Sequence, residues 1–203
     1  MKKIGLLLGS FDPIHIAHIN IAACVLNSGL CDEVLFVVAK HNPWKAYEPA
    51  PFDVRCKMIK ASIAPFYGAC SVCDLEKDIE TPTYSYKVLT KIREQYPEDE
   101  LYIISGTDTF NKIPGWKNWE TDIKPYFKYI VASRYVPTDL KKGEAYKVEP
   151  FGCNLGQIDE IITTTLDVSS TIVRNLVAKN INPYPLVTKE VANIIYAHKL
   201  YKK

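Results

Sequence analysis

The chain has no apolar run long enough to cross a bilayer, which as a helix takes about 20 consecutive residues. Lys2-Lys3 followed by Ile4-Gly5-Leu6-Leu7-Leu8 imitates the start of an export signal, but Gly9-Ser10, Asp12, His15 and His18 follow at once. That interruption is too early for an export core, so the segment reads as a buried strand. Like charges are not gathered into a block, and the net charge is only +2 over 203 residues. A nucleic-acid footprint is therefore not expected. The six cysteines lack the density and regular spacing of a disulfide scaffold, which fits reduced thiols in a cytoplasmic protein. Cys70-Ser71-Val72-Cys73 is the one pair with zinc or redox spacing, and it has neither a second such pair nor a nearby histidine. Repeats, low-complexity tracts and long linkers are absent too, so residues 1–203 are expected to form one domain. Hydrophobic content of 47% and charged content of 24% are those of an ordinary globular chain.

What is present is alternation. Apolar runs at Lys3–Leu8, Glu33–Ala39, Ala69–Leu75, Leu101–Ser105, Tyr129–Ser133 and Ile158–Thr163 read as strands. Helical spacing fills Ile14–Leu26, Asp53–Ala64 and Tyr84–Gln95, and returns in Ser169–Ala178 and Thr188–Leu200. Tyr135–Phe151, broken by Pro137, Gly143 and Pro150, reads as a loop over one end of the sheet. The pattern predicts an α/β fold, a Rossmann-like doubly wound parallel sheet with C-terminal helices.

Ligands of such sheets bind beyond the carboxyl ends of the strands. After the first strand comes Gly9-Ser10-Phe11-Asp12-Pro13, a turn in which glycine permits close backbone approach. His15 and His18 follow with i, i+3 spacing at a helix start, where free N–H groups and the macrodipole attract anions. After the second strand stands Lys40-His41-Asn42-Pro43-Trp44-Lys45, in which Lys45 is a flexible point charge suited to polyphosphate. Ser105-Gly106-Thr107-Asp108 follows the fourth strand. Gly106 there leaves room for a ligand, and Asp108 either accepts from ribose hydroxyls or caps a helix. Trp116 could stack on an aromatic base. Val168-Ser169-Ser170-Thr171-Ile172-Val173-Arg174 is a second helix start with three hydroxyls and an arginine able to grip phosphate.

Together these segments resemble the nucleotidylyltransferase superfamily, whose signatures are G-[ST]-F-D-P-x-H-x-G-H and [IV]-S-S-T-x-x-R. Within it the chain is similar, nearly end to end, to the bacterial nicotinate mononucleotide adenylyltransferases. Asn42-Pro43-Trp44-Lys45 matches a P-P-H-K-like loop, Pro82-Thr83-Tyr84-Ser85 a P-S-Y-T segment, and Gly106-Thr107-Asp108 a G-x-D turn followed by a tryptophan, Trp116. Arg134 after the next strand and the terminal Leu200-Tyr201 match as well. Three departures stand out: Ala17 for glycine between the histidines, Trp44 for histidine, and exchanged hydroxyl residues flanking Tyr84.

The resemblance implies attack of the nicotinate mononucleotide phosphate on the α-phosphorus of ATP. It assigns His15, His18, Lys45 and Arg174 to catalysis, and Gly9, Ser10, Phe11, Gly106, Asp108, Arg134, Ser169, Ser170 and Thr171 to the nucleotide. Thr83, Tyr84, Trp116 and Lys117 fall to the pyridine substrate, with Lys117 favouring a carboxylate. Mg2+ is expected to arrive with ATP rather than in a protein cage. Homo-oligomerisation is left open. Three rival readings stand beside this one. They are a related transferase acting on nicotinamide mononucleotide or phosphopantetheine, a nucleotide sensor without turnover, and a zinc module on Cys70 and Cys73.

Overall fold

The structure is a computed structural model. It describes residues 1–40, 47–80, 82–134, 159–164, 166 and 168–202, the side chains at 108, 133, 134 and 160–164 excepted. The chain runs β1 (Lys3–Gly9), α1 (Ile16–Asn27), β2 (Glu33–Val38), α2 (Phe52–Ile63), β3 (Cys70–Cys73) and α3 (Ser85–Gln95). It continues with β4 (Glu100–Gly106), the single turn α4 (Thr107–Phe110), a π-helical turn at Trp119–Ile123, β5 (Lys128–Arg134), β6 (Glu160–Thr164), α5 (Ser170–Ala178) and α6 (Lys189–Ala197). Six described strands pair in parallel in the order β3-β2-β1-β4-β5-β6. This is the expected doubly wound sheet. The order reverses between β1 and β4, so the crevice for a ligand opens beyond Gly9 and Gly106.

Because a parallel sheet is buried on both faces, alternate strand residues feed two cores. Leu7, Phe36, Val38, Ile104 and Ile130 pack beneath α1, α2, α5 and α6, with Val25, Ile59, Val173 and Ile195 closing that layer. Leu6, Leu35, Ile103 and Val131 face α3 and the π-helical turn, through Leu89, Ile92, Trp119 and Ile123. Both C-terminal helices therefore lie on the α1 side, beside the first turn.

Several boundaries differ from the sequence reading, each for a local reason. Helix α1 starts at Ile16 because His15 stays extended (φ −145°, ψ 171°) and serves as its N-cap. β3 ends at Cys73, where Leu75–Asp78 coils into a 3-10 turn. α6 stops at Ala197, and the tail beyond it folds back. The loop expected over Tyr135–Phe151 lies outside the described residues.

The carboxyl ends of β1 and β2 are joined by a buried cation that the sequence reading did not single out. Arg55 of α2, 1% exposed, donates to four main-chain carbonyls: Ala50 (2.8 Å), Ser10 (2.6 Å), Ala39 (2.7 Å) and Lys40 (3.0 Å). Burial lowers its pKa, with the negative groups around it acting in the opposite sense. Replacing it strands those carbonyls, and each unpaired buried group costs about 1–3 kcal/mol. Arg55→Leu is expected to lower the unfolding free energy by about 3 kcal/mol or more, read as a lower urea midpoint at unchanged m value.

Candidate active site

The turn after β1 is built around a strained, buried aromatic. Phe11 has a left-handed φ of 46°, uncommon for a bulky residue. Packing holds it there: its ring lies 5.5 Å from Phe36 and 5.0 Å from His18 between centroids. Below it Gly9 leaves the space, since a Cβ at that position would come within 2.9 Å of the ring. The Phe11 side chain thus belongs to the core, which leaves only its backbone for any contact with a ligand.

His15 and His18 meet as their spacing suggested, through the cap rather than through two helical turns. Their rings stack 3.7 Å apart, inclined by 25°. The His15 main-chain N–H donates to His18 Nδ1 (3.3 Å). A neutral imidazole that accepts at Nδ1 carries its proton on Nε2, so the cap presents His18 Nε2–H as a donor. His15 is buried and His18 half-buried, which leaves His18 the more reachable of the two. Ala17 between them is also buried. Fewer helix-start amides are free than the sequence suggested, because the Ile16 N–H already donates to Leu186 O (3.0 Å).

The second helix start converges on the same turn. Ser169 caps α5 by accepting from the Ile172 N–H (3.3 Å). The Ser170 hydroxyl donates to Pro13 O (2.9 Å), and Thr171 accepts from Arg174 (3.1 Å). All three hydroxyls are engaged within the protein. Arg174 also donates to Asp12 O (2.7 Å), lies 4.0 Å from Asp12 Oδ2, and stacks 4.5 Å from the Tyr47 ring. Asp12, 1% exposed, accepts at Oδ1 from the Ala50 N–H (3.1 Å) and from the Tyr201 hydroxyl (2.6 Å).

A third cluster sits beyond β4. Lys117 Nζ lies 4.6 Å from the Tyr84 ring, so Thr83-Tyr84 and Trp116-Lys117 share one region. Trp116 is partly buried against the α3-side core. Gly106 has an ordinary backbone (φ −71°), and a Cβ there would meet only Ala132 O, at 3.9 Å. Among the described residues nothing demands glycine at this position. Lys45 and the Asn42–Lys45 segment lie outside the described residues, as do the side chains of Asp108 and Arg134. Ser10 contributes its carbonyl to Arg55, as above.

Cys70 and Cys73 do not form a metal pair. Being three apart in a strand, they sit on opposite faces: Cys70 lies in the α1-side core and Cys73 packs against the other. No group of three or more histidine, cysteine or acidic residues able to hold a metal occurs among the described residues. Burial pushes the Cys70 thiol up to about 11 and raises that of Cys73. The residues the sequence did not single out are Tyr47, Arg55 and Glu76, while Asp12 and Tyr201 stand in the matched segments without an assigned role. Glu76, buried beside this end of β2, accepts from the Lys40 N–H (2.8 Å), and burial raises its carboxyl pKa. Arg55 left one signal, a charge on the helix face that also carries Met58, Ile59 and Ser62.

A profile of the cytidylyltransferase-like family matches residues 6–176. Two proteins named "Probable nicotinate-nucleotide adenylyltransferase" align over nearly the whole chain. The one from Cytophaga hutchinsonii is 32% identical over 98% of each chain, and that from Endomicrobium trichonymphae 32% identical over 100% of each. A solved structure described as Plasmodium falciparum nicotinic acid mononucleotide adenylyltransferase complexed with NaAD shares the fold, with a TM-score of 0.77 at 21% identity over 99% of this chain and 98% of that one. The chain belongs to the cytidylyltransferase-like family, in its nicotinate-nucleotide adenylyltransferase branch. Among the described residues, no helix is long and apolar enough to cross a membrane.

The thiols give a pH dependence with a definite sign. Folding holds Cys31 and Cys70 protonated up to about 12 and about 11, against 9.0 for a free thiol. Above pH 9 the unfolded chain therefore binds fewer protons than the folded one, and stability falls as pH rises. A thermal midpoint that is level up to about pH 8 and declines from pH 9 to 11 is expected. A midpoint that climbs across that range would contradict the buried placement of these cysteines.

Proposed function

We infer that the protein is a nicotinate-nucleotide adenylyltransferase, joining ATP and nicotinate mononucleotide into nicotinate adenine dinucleotide with release of pyrophosphate. The observation that carries this reading is the convergence of the His15–His18 cap and the Ser170–Arg174 helix start on one turn, at the switch point of the sheet. The attacking phosphate is already an anion at neutral pH and needs no general base. Catalysis is then positioning and charge stabilisation. His18 offers Nε2–H to the charge that grows on the transferring phosphoryl group, with His15 stacked beneath it. Arg174 and Lys45 bind the polyphosphate, and the first amides of α5 add anion-binding donors.

The rest of the assignment extends this site. Gly9, Ser10 and Phe11 are assigned main-chain contacts to the nucleotide, and Gly106, Asp108 and Arg134 are assigned to ATP. Ser169, Ser170 and Thr171 act through the helix they open. Thr83, Tyr84, Trp116 and Lys117 receive the pyridine ring, and the Lys117 ammonium favours the acid over the amide. The donor set is one of imidazole, guanidinium and N–H groups, which suits phosphate oxygens, so Mg2+ is proposed to be held by the ATP phosphates. Bound there, it would neutralise charge on the departing pyrophosphate. A cytoplasmic location is proposed with this reading, since the six cysteines lack the spacing of a disulfide scaffold.

Pyrophosphate release measured with ATP and a panel of acceptors tests the reading. Nicotinate mononucleotide is expected to be the best substrate; equal use of nicotinamide mononucleotide would contradict the role of Lys117, and use of phosphopantetheine the assignment itself. Binding of ATP without turnover of any acceptor would favour a sensor. His18→Ala is expected to lower kcat about a hundredfold or more with little change in KM, and near-normal kcat would remove His18 from the transition state.

A further inference from the structure

The terminal Leu200-Tyr201 takes no part in the chemistry above, yet it ends against the signature turn. Helix α6 closes with Lys199 N–H donating to Tyr196 O (3.1 Å) and Leu200 N–H to Ile195 O (3.0 Å), the paired bonds of a reversing C-cap. The pivot of that cap favours glycine, but here it is Lys199, at φ 51°, and Tyr201 follows at φ 59°. Such conformations are strained for residues other than glycine and persist only where surrounding contacts enforce them. Two contacts do so: both residues of the pair pack on the α1-side core, and the Tyr201 hydroxyl donates to Asp12 Oδ1 at 2.6 Å across 189 positions of sequence.

Asp12 is a junction. Its side chain is held by Tyr201 and the Ala50 amide, with the Tyr47 hydroxyl interacting as well, while its carbonyl accepts from Arg174 and the next carbonyl, of Pro13, accepts from Ser170. Three residues on stands His15. Arg174 Nη1 is already 4.0 Å from Oδ2 of the same carboxylate. If Oδ1 loses its tyrosine partner, the carboxylate is freer to turn toward that guanidinium and hold it away from an incoming phosphate.

We propose that Tyr201 is a positioning residue for adenylyl transfer, holding the Asp12 carboxylate so that the turn, the histidine cap and Arg174 keep one geometry toward the phosphates. Tyr201 itself touches no substrate. The inference rests on the adenylyltransferase reading, but it does not depend on which acceptor is used.

Tyr201→Phe keeps the ring and removes only the hydroxyl. Its kcat for pyrophosphate release is expected to fall about tenfold or more, since small misplacements of reacting groups carry losses of this order, while KM for ATP changes less than about threefold. Leu200→Ala loosens the same tail but leaves the hydroxyl, and is expected to lower the melting temperature with kcat retained. Asp12→Asn reads the link from the other side, with an expected loss of kcat of its own. Adding Tyr201→Phe to it is expected to lower kcat no further, because the two act as one unit. The proposal is overturned by a Tyr201→Phe kcat within twofold of the unaltered protein, by additive losses in the double variant, or by an equal kcat loss in Leu200→Ala. The unaltered protein is assayed first on the acceptor panel. Turnover with an acceptor other than nicotinate mononucleotide corrects the substrate and leaves this test intact, whereas no turnover with any acceptor overturns both readings.

Discussion

A carboxyl group with 1% exposure is tolerated only if it is hydrogen-bonded, and the partners of Asp12 determine how the site is assembled. They come from three separate places: the segment before α2 (Ala50), the first turns of α5 (Arg174), and the tail after α6 (Tyr201). Burying an acid without such partners costs several kcal/mol, so elements distant in sequence are drawn to one turn. Arg55 works alongside it with the opposite charge, collecting the carbonyls of Ser10, Ala39, Lys40 and Ala50. Between the two, the ends of β1 and β2 and both C-terminal helices are referenced to the same few atoms.

The chemistry follows from where that turn lies. A parallel sheet whose strand order reverses beside β1 puts a ligand crevice at that end, and the turn there carries the His15–His18 pair and holds Arg174. His18 has its tautomer set by the His15 amide, and the hydroxyls of Ser169, Ser170 and Thr171 are engaged in capping and in joining α5 to the turn. Such a site can align two phosphates and neutralise charge.

Much of this was legible in the sequence, because parallel strands are continuous apolar runs and the signature segments are local. The apolar run Val34–Val38 and the turn after Leu8 needed no tertiary knowledge. His15 and His18 were placed together correctly, although the helix begins after His15 instead of before it; capping at a Pro13-bounded turn decides that, and periodicity does not report it. The contacts of Tyr201 and Arg55 were not legible for a different reason, although Leu200-Tyr201 matches the family without an assigned role. Their roles exist only in contacts across tens to hundreds of positions, and a tyrosine near a chain end or an arginine in a helix has an ordinary local pattern. The Cys70/Cys73 pair reads as a weak metal candidate, and strand alternation, which points the two thiols to opposite faces, supplies the physical reason.

The turn is proposed to hold the two substrates for a single direct displacement, with no group of the protein bonded to the adenylyl unit on the way. The stereochemical course at phosphorus tests it most directly. With ATP made chiral at the α-phosphorus by thio substitution and nicotinate mononucleotide as acceptor, the dinucleotide is expected to show inverted configuration at that phosphorus. Retention, the signature of two successive displacements through an adenylylated residue, would contradict the account.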